Sequence, residues 1–593
     1  MSRSFYHILN SLPLKFAAMQ SGSSISSLAR SYALMSVLQK LVTFTLNQFL
    51  LRNTSPKVFG RASIQFELFL STMLFLTREG IRLAVLRNAS KRLTSDELQG
   101  LVNLSWMPFV ILLFLFLYIF CLKSSIDNIE DYYVILFYNI GAILECVGEP
   151  WYNIIGLAKC PWIRLYAEAV GMVARALTTF LCISCYDLGI VGFGYAQIVY
   201  GFVYASSIIL FTRNASSTYG SDDIRLYTIN FMPRLLHCNK ALLDHLGGDS
   251  CVMAGAMSGT VVLKHLSTES DKIVLSLFVS HYNQGIYSVA NNYGSLVARL
   301  IFYPVEESCR LTFPQLLGDI KRCMASNIQI SPTSDLSHAQ REVELKVKLE
   351  AIFSLLLSIL QVIFLFGVIF LVFGPFYARA FVHIVLGPLW YSEETVKTIS
   401  SFSMYIFIMG VNGVSEAFCQ SVMDKKHMYI SIIGLSVGSL VFSVSAFMFV
   451  HLIGTSGIVL SLALAMLVRL LFNLMYIYWS FRDPGEYFCI PIATGTLQLN
   501  RKEIFISPSL FSTLMLVVAV LRGSMLQTYP EEDAINSESY NLYGELKHIA
   551  LGLLCLAVLF CQVYFLNRKE IINAMCRLFS KNVGGKGEGA HKD

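Results

Sequence analysis

The chain has 593 residues, of which 55% are hydrophobic and only 14% are charged. Soluble proteins carry about 25% charged residues, so this composition excludes an ordinary soluble domain and predicts a protein embedded in the lipid bilayer. The net charge is +6, and the basic residues are grouped in the loops between apolar runs. That distribution indicates membrane topology, and we expect no nucleic-acid partner.

In chain order, the apolar runs predict an all-α polytopic membrane protein of about fourteen transmembrane helices, each needing roughly 20 residues. Basic and non-basic loops alternate between them, which predicts that both termini are cytosolic. The predicted spans are 31–51, 62–77, 101–122, 132–155, 165–185, 189–212, 251–280, 285–314, 350–373, 396–422, 428–450, 455–480, 505–525 and 546–566.

Short motifs recur in the same order in the two halves of the chain. Glu79, Arg82, Glu149 and Gly189 have counterparts in Glu307, Arg310, Glu416 and Gly454. Such a repeat favours two parallel six-helix lobes. The predicted divisions are a cytosolic tail at 1–30, the lobes at 31–213 and 250–482, a cytosolic linker at 214–249, a loop with a two-helix hairpin at 483–566, and a basic cytosolic tail at 567–593.

Polar side chains recur at helical spacing within three of the predicted spans. Lys40 and Asn47 share one helix face, Asn291, Ser295 and Arg299 another, and Arg469 lies in a third span. If these faces line one cleft, its positive charge favours a phosphate group, which arginine binds bidentately. The alternative is that each cation reaches a lipid headgroup or pairs with a nearby acid.

Two further sets of charged residues lie within or at the ends of spans. Glu79/Arg82 and Glu307/Arg310 are spaced three apart, which predicts ion pairs that are structural or that act as a gate. Glu149, which precedes a proline, and Glu416 lie in apolar segments. They are candidates for proton coupling, with capping of free backbone donors as the alternative.

Several catalytic signatures are absent from the sequence. It contains no GxxxxGK[ST] phosphate loop, no HExxH and no GxSxG motif. We therefore expect neither an enzyme nor an ATP-driven pump, with no cofactor and no metal.

Four stretches of the chain are distinctive: LFLTREGIRLAVL (74–86), LECVGEPWY (144–152), residues 266–308, which contain QGIYSVANNYGSLVARLIFYPVEES, and VNGVSEAF (411–418). They resemble the Rft-type oligosaccharide translocation family of the endoplasmic reticulum. The resemblance implies two six-helix lobes in a V shape around a central cavity, plus two further helices, in the superfamily of bacterial lipid-linked precursor flippases and multidrug extruders.

The resemblance also implies a function: moving a dolichol-diphosphate-linked oligosaccharide from the cytosolic to the lumenal leaflet, ahead of N-glycosylation. Other components of that pathway are then expected partners. The alternatives are a non-transporting accessory or scaffold protein of the same pathway, or a cation-coupled small-molecule antiporter. Carried onto this sequence, the family motif adds Arg52 and Asn292 to the substrate-binding set and Arg78, Asp271, Lys272 and Glu306 to the ion-pair set.

Overall fold

The computed structural model describes residues 44–88, 94–121, 129–158, 161–216, 231–234, 248–328, 335–423, 427–488, 508–529 and 542–580. Within these ranges the regular secondary structure is entirely helical and contains no strand. The all-α prediction is therefore confirmed. Lys40, the tail at 1–30 and most of the predicted linker at 214–249 lie outside the described residues.

The chain divides into two compact units, which meet in sequence between Gly285 and Ile286. The helices of the first unit are α1 (44–53), α2 (Pro56–Gly60), α3 (Glu67–Leu86), α4 (Ser95–Ser105), α5 (Met107–Cys121), α6 (Ile129–Val147), α7 (Glu149–Leu157), α8 (Pro161–Ser184), α9 (Val191–Ser216), α10 (Asp249–Thr268) and α11 (Ser270–Phe278). A π-helical segment, Arg61–Phe66, joins α2 to α3 without a break.

Helix α12 (His281–Val297) begins in the first unit and continues into the second. The helices that follow are α13 (Tyr303–Ile328), α14 (Asp335–Phe381), α15 (Glu393–Val422), α16 (Met428–Ile453), α17 (Thr455–Arg482), α18 (Pro484–Tyr487), α19 (Pro508–Thr528) and α20 (Leu542–Ser580). Helix α20 runs past residue 566, so the predicted basic tail at 567–593 begins as a continuation of this helix.

Local sequence signals account for several helix ends. Thr94 and Glu97 form a reciprocal capping box at the start of α4, in which each side chain accepts from the other residue's backbone N–H. Gly189 and Gly454 precede α9 and α17 with φ angles of 54° and 70°. Glycine is suited to this left-handed conformation, and the two positions are those paired by the sequence repeat.

Nine helices among the described residues are long and apolar enough to cross a membrane, and all nine coincide with predicted spans. Four other predicted spans fall on helices that carry the charged side chains discussed below, at 62–77, 132–155, 251–280 and 285–314. The predicted span at 31–51 begins outside the described residues. The count of fourteen therefore stays a prediction.

The division at Gly285 lies inside the predicted C-terminal lobe of 250–482. Helix α10 packs along α3, and α11 packs on the π-helical segment that precedes α3. Both helices are thereby grouped with the first unit by their contacts, although the sequence repeat assigns them to the second lobe. The predicted lobes rest on the repeat and stay a prediction.

The helix continues through Pro304, a residue type that commonly interrupts helices. A π-helical turn, Ala298–Phe302, connects α12 to α13, and the Tyr303 N–H donates to the Ala298 carbonyl. Proline lacks the N–H of an ordinary α-helical bond, and a π-helical turn lets the helix pass such a position by changing its hydrogen-bond register. The charged residues after Pro304 therefore lie on a continuous helix.

Candidate functional site

The first unit contains a buried network of arginines and glutamates between α3 and the α6–α7 segment. Arg82 donates to both oxygens of Glu149, at 2.9 Å from Nε and 2.5 Å from Nη2. Arg78 lies 2.5 Å from Glu145 and 3.5 Å from Glu149. The Glu149 side chain has 0% exposure. Because a buried carboxylate is costly unless it is paired, the two nearby guanidinium groups offset the cost of burying this charge.

The break between α6 and α7 is what presents Glu149 to α3. Helix α6 ends at Val147, and α7 restarts at Glu149 with Pro150 in its first turn. Proline is well tolerated at that position because its missing N–H has no partner within the helix. The Glu149 carboxylate bonds to Arg82. Proton coupling by Glu149 and its alternative, the capping of free backbone donors, both stay predictions.

Tyr152 extends the network by one turn of α7. The guanidinium carbons of Arg82 and Arg164 each lie 3.9 Å from the centre of the Tyr152 ring. Arg164 also donates to the Tyr152 carbonyl from Nε at 2.9 Å and Nη2 at 2.5 Å. Cation–π contacts are stronger where water is excluded, so Tyr152 helps to hold two cations close to Glu149.

The predicted pair Glu79/Arg82 is at the distance limit for an ion pair. The two side chains are 4.0 Å apart and Glu79 is partly exposed, whereas Glu149 bonds Arg82 directly. The principal partner of Arg82 is therefore on another helix. Glu145, the partner of Arg78, was missed by the sequence analysis, although it stands one helical turn from Glu149, as Arg78 does from Arg82.

Asp271 and Lys272, both predicted ion-pair residues, are adjacent on α11. Lys272 pairs with Glu269 at 2.7 Å, three residues earlier. Adjacent helical residues point in different directions, whereas residues three apart lie on one side. Lys272 thus pairs with an acid that the sequence analysis did not single out.

In the second unit, two residues that were predicted for separate roles are bonded to each other. Arg469, a predicted substrate-binding cation, donates from Nη2 to both oxygens of Glu416, at 3.0 and 2.8 Å. Asn412 and Gln420 on α15 also donate to this carboxylate, at 3.0 and 2.8 Å. Asn473, one turn along α17 from Arg469, donates to Asn412 at 3.1 Å.

The charged residues that match between the two halves of the sequence therefore have different ion-pair partners in the two units. Arg310, the counterpart of Arg82, lies 3.8 Å from Glu307 on its own helix, with side chains that are 38% and 47% exposed. Glu416, the counterpart of Glu149, pairs with Arg469 instead. The carboxylate of Glu306 occupies the space that a side chain at Gly413 would fill, one turn from Glu416. The second unit thus places two acids and one arginine close together in a partly exposed position.

The remaining predicted substrate-binding residues are distributed over both units. In the first unit, Asn47 is partly buried on α1 and Arg52 is exposed near its end. In the second, Asn291 and Asn292 are partly buried on α12, and Ser295 donates to the Asn292 carbonyl at 3.1 Å. The backbone of Arg299 lies in the π-helical turn, and its side chain lies outside what the structure describes.

The comparison with protein families decides the family. The Rft protein family model matches residues 24–577. The chain belongs to the Rft family. This Rft chain is 26% identical over 548 residues to the mouse protein named Man(5)GlcNAc(2)-PP-dolichol translocation protein RFT1, covering 90% of this chain and 92% of the relative. It is also 27% identical over 480 residues to the protein of the same name from Schizosaccharomyces pombe, covering 75% and 81%.

Among solved structures, the Rft chain is similar to the lipid II flippase MurJ in an inward closed conformation. The TM-score is 0.52 at 12% sequence identity, and the match covers 90% of this chain and 98% of that one. At this identity the likeness concerns the fold alone. Together with the nine apolar helices, it identifies the Rft chain as a polytopic α-helical membrane protein.

Proposed function

We propose that the chain translocates a dolichol-diphosphate-linked oligosaccharide from the cytosolic to the lumenal leaflet of the endoplasmic reticulum membrane, in support of N-glycosylation. The observation that carries this proposal is the family match across residues 24–577, together with the name shared by the relatives, Man(5)GlcNAc(2)-PP-dolichol translocation protein. Both termini are cytosolic in this proposal, as the loop charges predict.

The chemistry of the predicted site suits such a substrate. A diphosphate carries negative charge that Lys40, Arg52, Arg299 and Arg469 would neutralise, with arginine able to bind two phosphate oxygens at once. In Arg469, both bonds to Glu416 come from Nη2, and a guanidinium has five donors in all. The amide and hydroxyl groups of Asn47, Asn291, Asn292 and Ser295 can both donate to and accept from sugar hydroxyls.

The direct test is transbilayer movement of the authentic lipid in liposomes that contain the purified full-length protein. We expect the lipid to reach the outer leaflet faster than in protein-free liposomes. A protein that folds, enters the liposomes and moves no lipid would overturn the transport proposal and favour the accessory or scaffold role.

A cellular test addresses the binding residues. Arg299→Ala should cause underglycosylation and accumulation of the oligosaccharide lipid while the protein remains folded, because it removes a binding cation. The matched control is Arg482→Ala, which removes an exposed arginine to which the proposal gives no role. Normal glycosylation in the Arg299 variant would remove that residue from the proposed site.

A further inference from the structure

Four residues between α9 and α10, Phe231 to Arg234, are held against the first unit through their backbone. Trp106 donates from Nε1 to the Phe231 carbonyl at 2.8 Å, and Gln99 donates to the Met232 carbonyl at 3.0 Å. Asn103 donates to the Arg234 carbonyl at 2.7 Å and accepts from the Arg234 N–H at 3.0 Å. Pro233 has no N–H that needs a partner.

This pattern resembles the way a sheet edge recognises an added strand, since backbone groups provide the bonds. Here the side chains of α4 and Trp106 take the place of the neighbouring strand. A segment that merely passed over the surface would leave these backbone groups to water. Four side-chain-to-backbone bonds within four residues instead indicate a built docking site for an extended segment.

The side chain of Phe231 adds an apolar anchor to these bonds. Its ring stacks on that of Trp151, with centroids 5.0 Å apart and an angle of 9° between the planes. Phe231 also packs against two separate groups of buried side chains, one that includes Val85 and Leu101 and one that includes Ile155 and Ile163. It therefore connects α3 and α4 to α7 and α8.

Trp151 belongs to the same short helix as the buried network. Helix α7 carries Glu149, which bonds to Arg82, and Tyr152, whose ring contacts Arg82 and Arg164. It also carries Asn153, which donates to Ser105 at 3.0 Å. A helix of nine residues is too short to hold its own position in isolation, so its contacts determine where these side chains lie.

We propose that residues 231–234 form a strap that positions α7 and thereby the Glu149–Arg82 pair. Phe231 acts as a positioning residue through Trp151, and Asn103 fixes the strap by binding the backbone on both sides of Arg234. Residues 231–234 then support the first unit's charged network, although they contribute no charge to its ion pairs.

The docking is tested by trypsin, because cleavage after Arg234 requires the carbonyl that Asn103 binds. Purified full-length protein in detergent is digested briefly, and peptides ending at Arg234 are quantified. Asn103→Ala removes two hydrogen bonds, so cleavage there should rise about tenfold or more, since it follows the population of the undocked segment. Met232→Ala is the matched control, because it removes an exposed side chain and keeps the carbonyl. Equal cleavage in all three proteins overturns the docking.

The positioning is tested by combining changes at Phe231 and Glu149. Phe231→Leu retains an apolar side chain but loses the stacking, and it should lower the melting temperature less in the Glu149→Gln protein than in the wild type. Interacting residues show such non-additivity, whereas independent ones do not. Phe231→Tyr, which keeps the ring, should restore the wild-type value. Additive shifts, or rescue by Leu as full as by Tyr, overturn the positioning role. These readouts do not depend on lipid translocation, so their failure is separate from failure of the proposed function.

Discussion

Arg78 and Glu145 are separated by 67 residues, as are Arg82 and Glu149, and both pairs are formed. Each arginine is one helical turn from the other, and so is each glutamate. Equal offsets mean that α3 and the α6–α7 segment run in the same direction past each other. Two consecutive arginine–glutamate pairs therefore fix both the separation and the register of these helices.

The first prediction concerns the Arg82–Glu149 pair. Glu149→Gln should destabilise the first unit by about 3–5 kcal/mol. It removes the negative partner of a buried pair and leaves the Arg82 cation without a counter-charge. The free energy of unfolding in denaturant, followed by tryptophan fluorescence in detergent, measures the effect.

The control for that change is Glu79→Gln, on the same helix as Arg82. Glu79 is partly exposed and 4.0 Å from Arg82, so the loss should stay below about 1 kcal/mol. If the two variants lose equal free energy of unfolding, the buried Arg82–Glu149 pair contributes no more to stability than the exposed Glu79 contact.

Much of the fold follows from the sequence, because the length of an apolar run predicts a membrane-spanning helix and the spacing of its polar residues predicts its polar face. Pairing across helices is different, since it depends on which helices are neighbours and how each is rotated. Arg82 and Glu149 were both recognised as candidates but were assigned to separate roles. The matched spacing of RxxxR and ExxxE was the available signal, and it identifies Glu145 as well.

The same limit explains the result at Arg469. Arg469 and Asn473 lie one turn apart on α17, and the two are joined through Asn412 and Glu416 on α15. What the sequence lacked was the adjacency of α15 and α17. The backbone contacts of residues 231–234 were beyond sequence analysis for a related reason, since side chains that bind backbone leave no pattern in the segment they bind.

The second prediction concerns Arg469, for which Glu416 and a bound diphosphate would compete. Glu416→Gln keeps the size of the side chain but removes the charge that holds the guanidinium. If Arg469 binds the diphosphate, the Kd for a short-chain dolichol diphosphate should fall about fivefold, corresponding to about 1 kcal/mol for a partly exposed pair. Titration of the full-length protein in detergent measures this change.

The matched control is Glu393→Gln on the same helix. Glu393 pairs with Arg379 at 2.6 Å and is about half exposed, so its replacement should leave the affinity unchanged. An unchanged Kd in the Glu416 variant argues against Arg469 as a phosphate-binding residue. Loss of transport driven by a cation gradient, with the Kd unaltered, would instead favour the antiporter hypothesis.

The third prediction concerns two glycines at a close backbone approach. A Cβ added at Gly60 would lie 2.2 Å from the His281 carbonyl oxygen, and one at Gly285 would lie 2.0 Å from that of Pro56. Because backbone atoms cannot move aside cheaply, Gly60→Ala should lower the thermal stability by several degrees, corresponding to about 1–3 kcal/mol of overpacking.

Gly255→Ala is the control for this substitution. Gly255 lies on α10, and in the described part of the chain no atom beyond its own stretch of helix lies within 4 Å of an added Cβ, while alanine favours the helix by about 1 kcal/mol. The melting temperature should therefore rise or stay constant. A Gly60 variant as stable as the Gly255 variant would show that α2 and the start of α12 separate without cost.

The fourth prediction concerns the attachment of the C-terminal hairpin, formed by α19 and α20. Glu545 on α20 is 2% exposed, hydrogen-bonds to His383 at 2.8 Å, and accepts from Tyr529 at 2.8 Å. Farther along α20, Cys555 is buried with Val517 against α14. Glu545→Ala removes the acceptor that His383 and Tyr529 share, which should weaken the attachment of α20 by about 1–3 kcal/mol.

Thiol labelling reads out this attachment within the same chain. In detergent, N-ethylmaleimide should modify the exposed Cys561 rapidly and the buried Cys555 slowly in the wild type. In Glu545→Ala, labelling of Cys555 should accelerate toward the rate of Cys561, because weaker anchoring raises the population in which the hairpin leaves α14. Cys561 serves as the internal control for reagent access. If Cys555 stays protected in the variant, the apolar contacts of Val517, Leu521 and Leu559 hold the hairpin without the polar cluster.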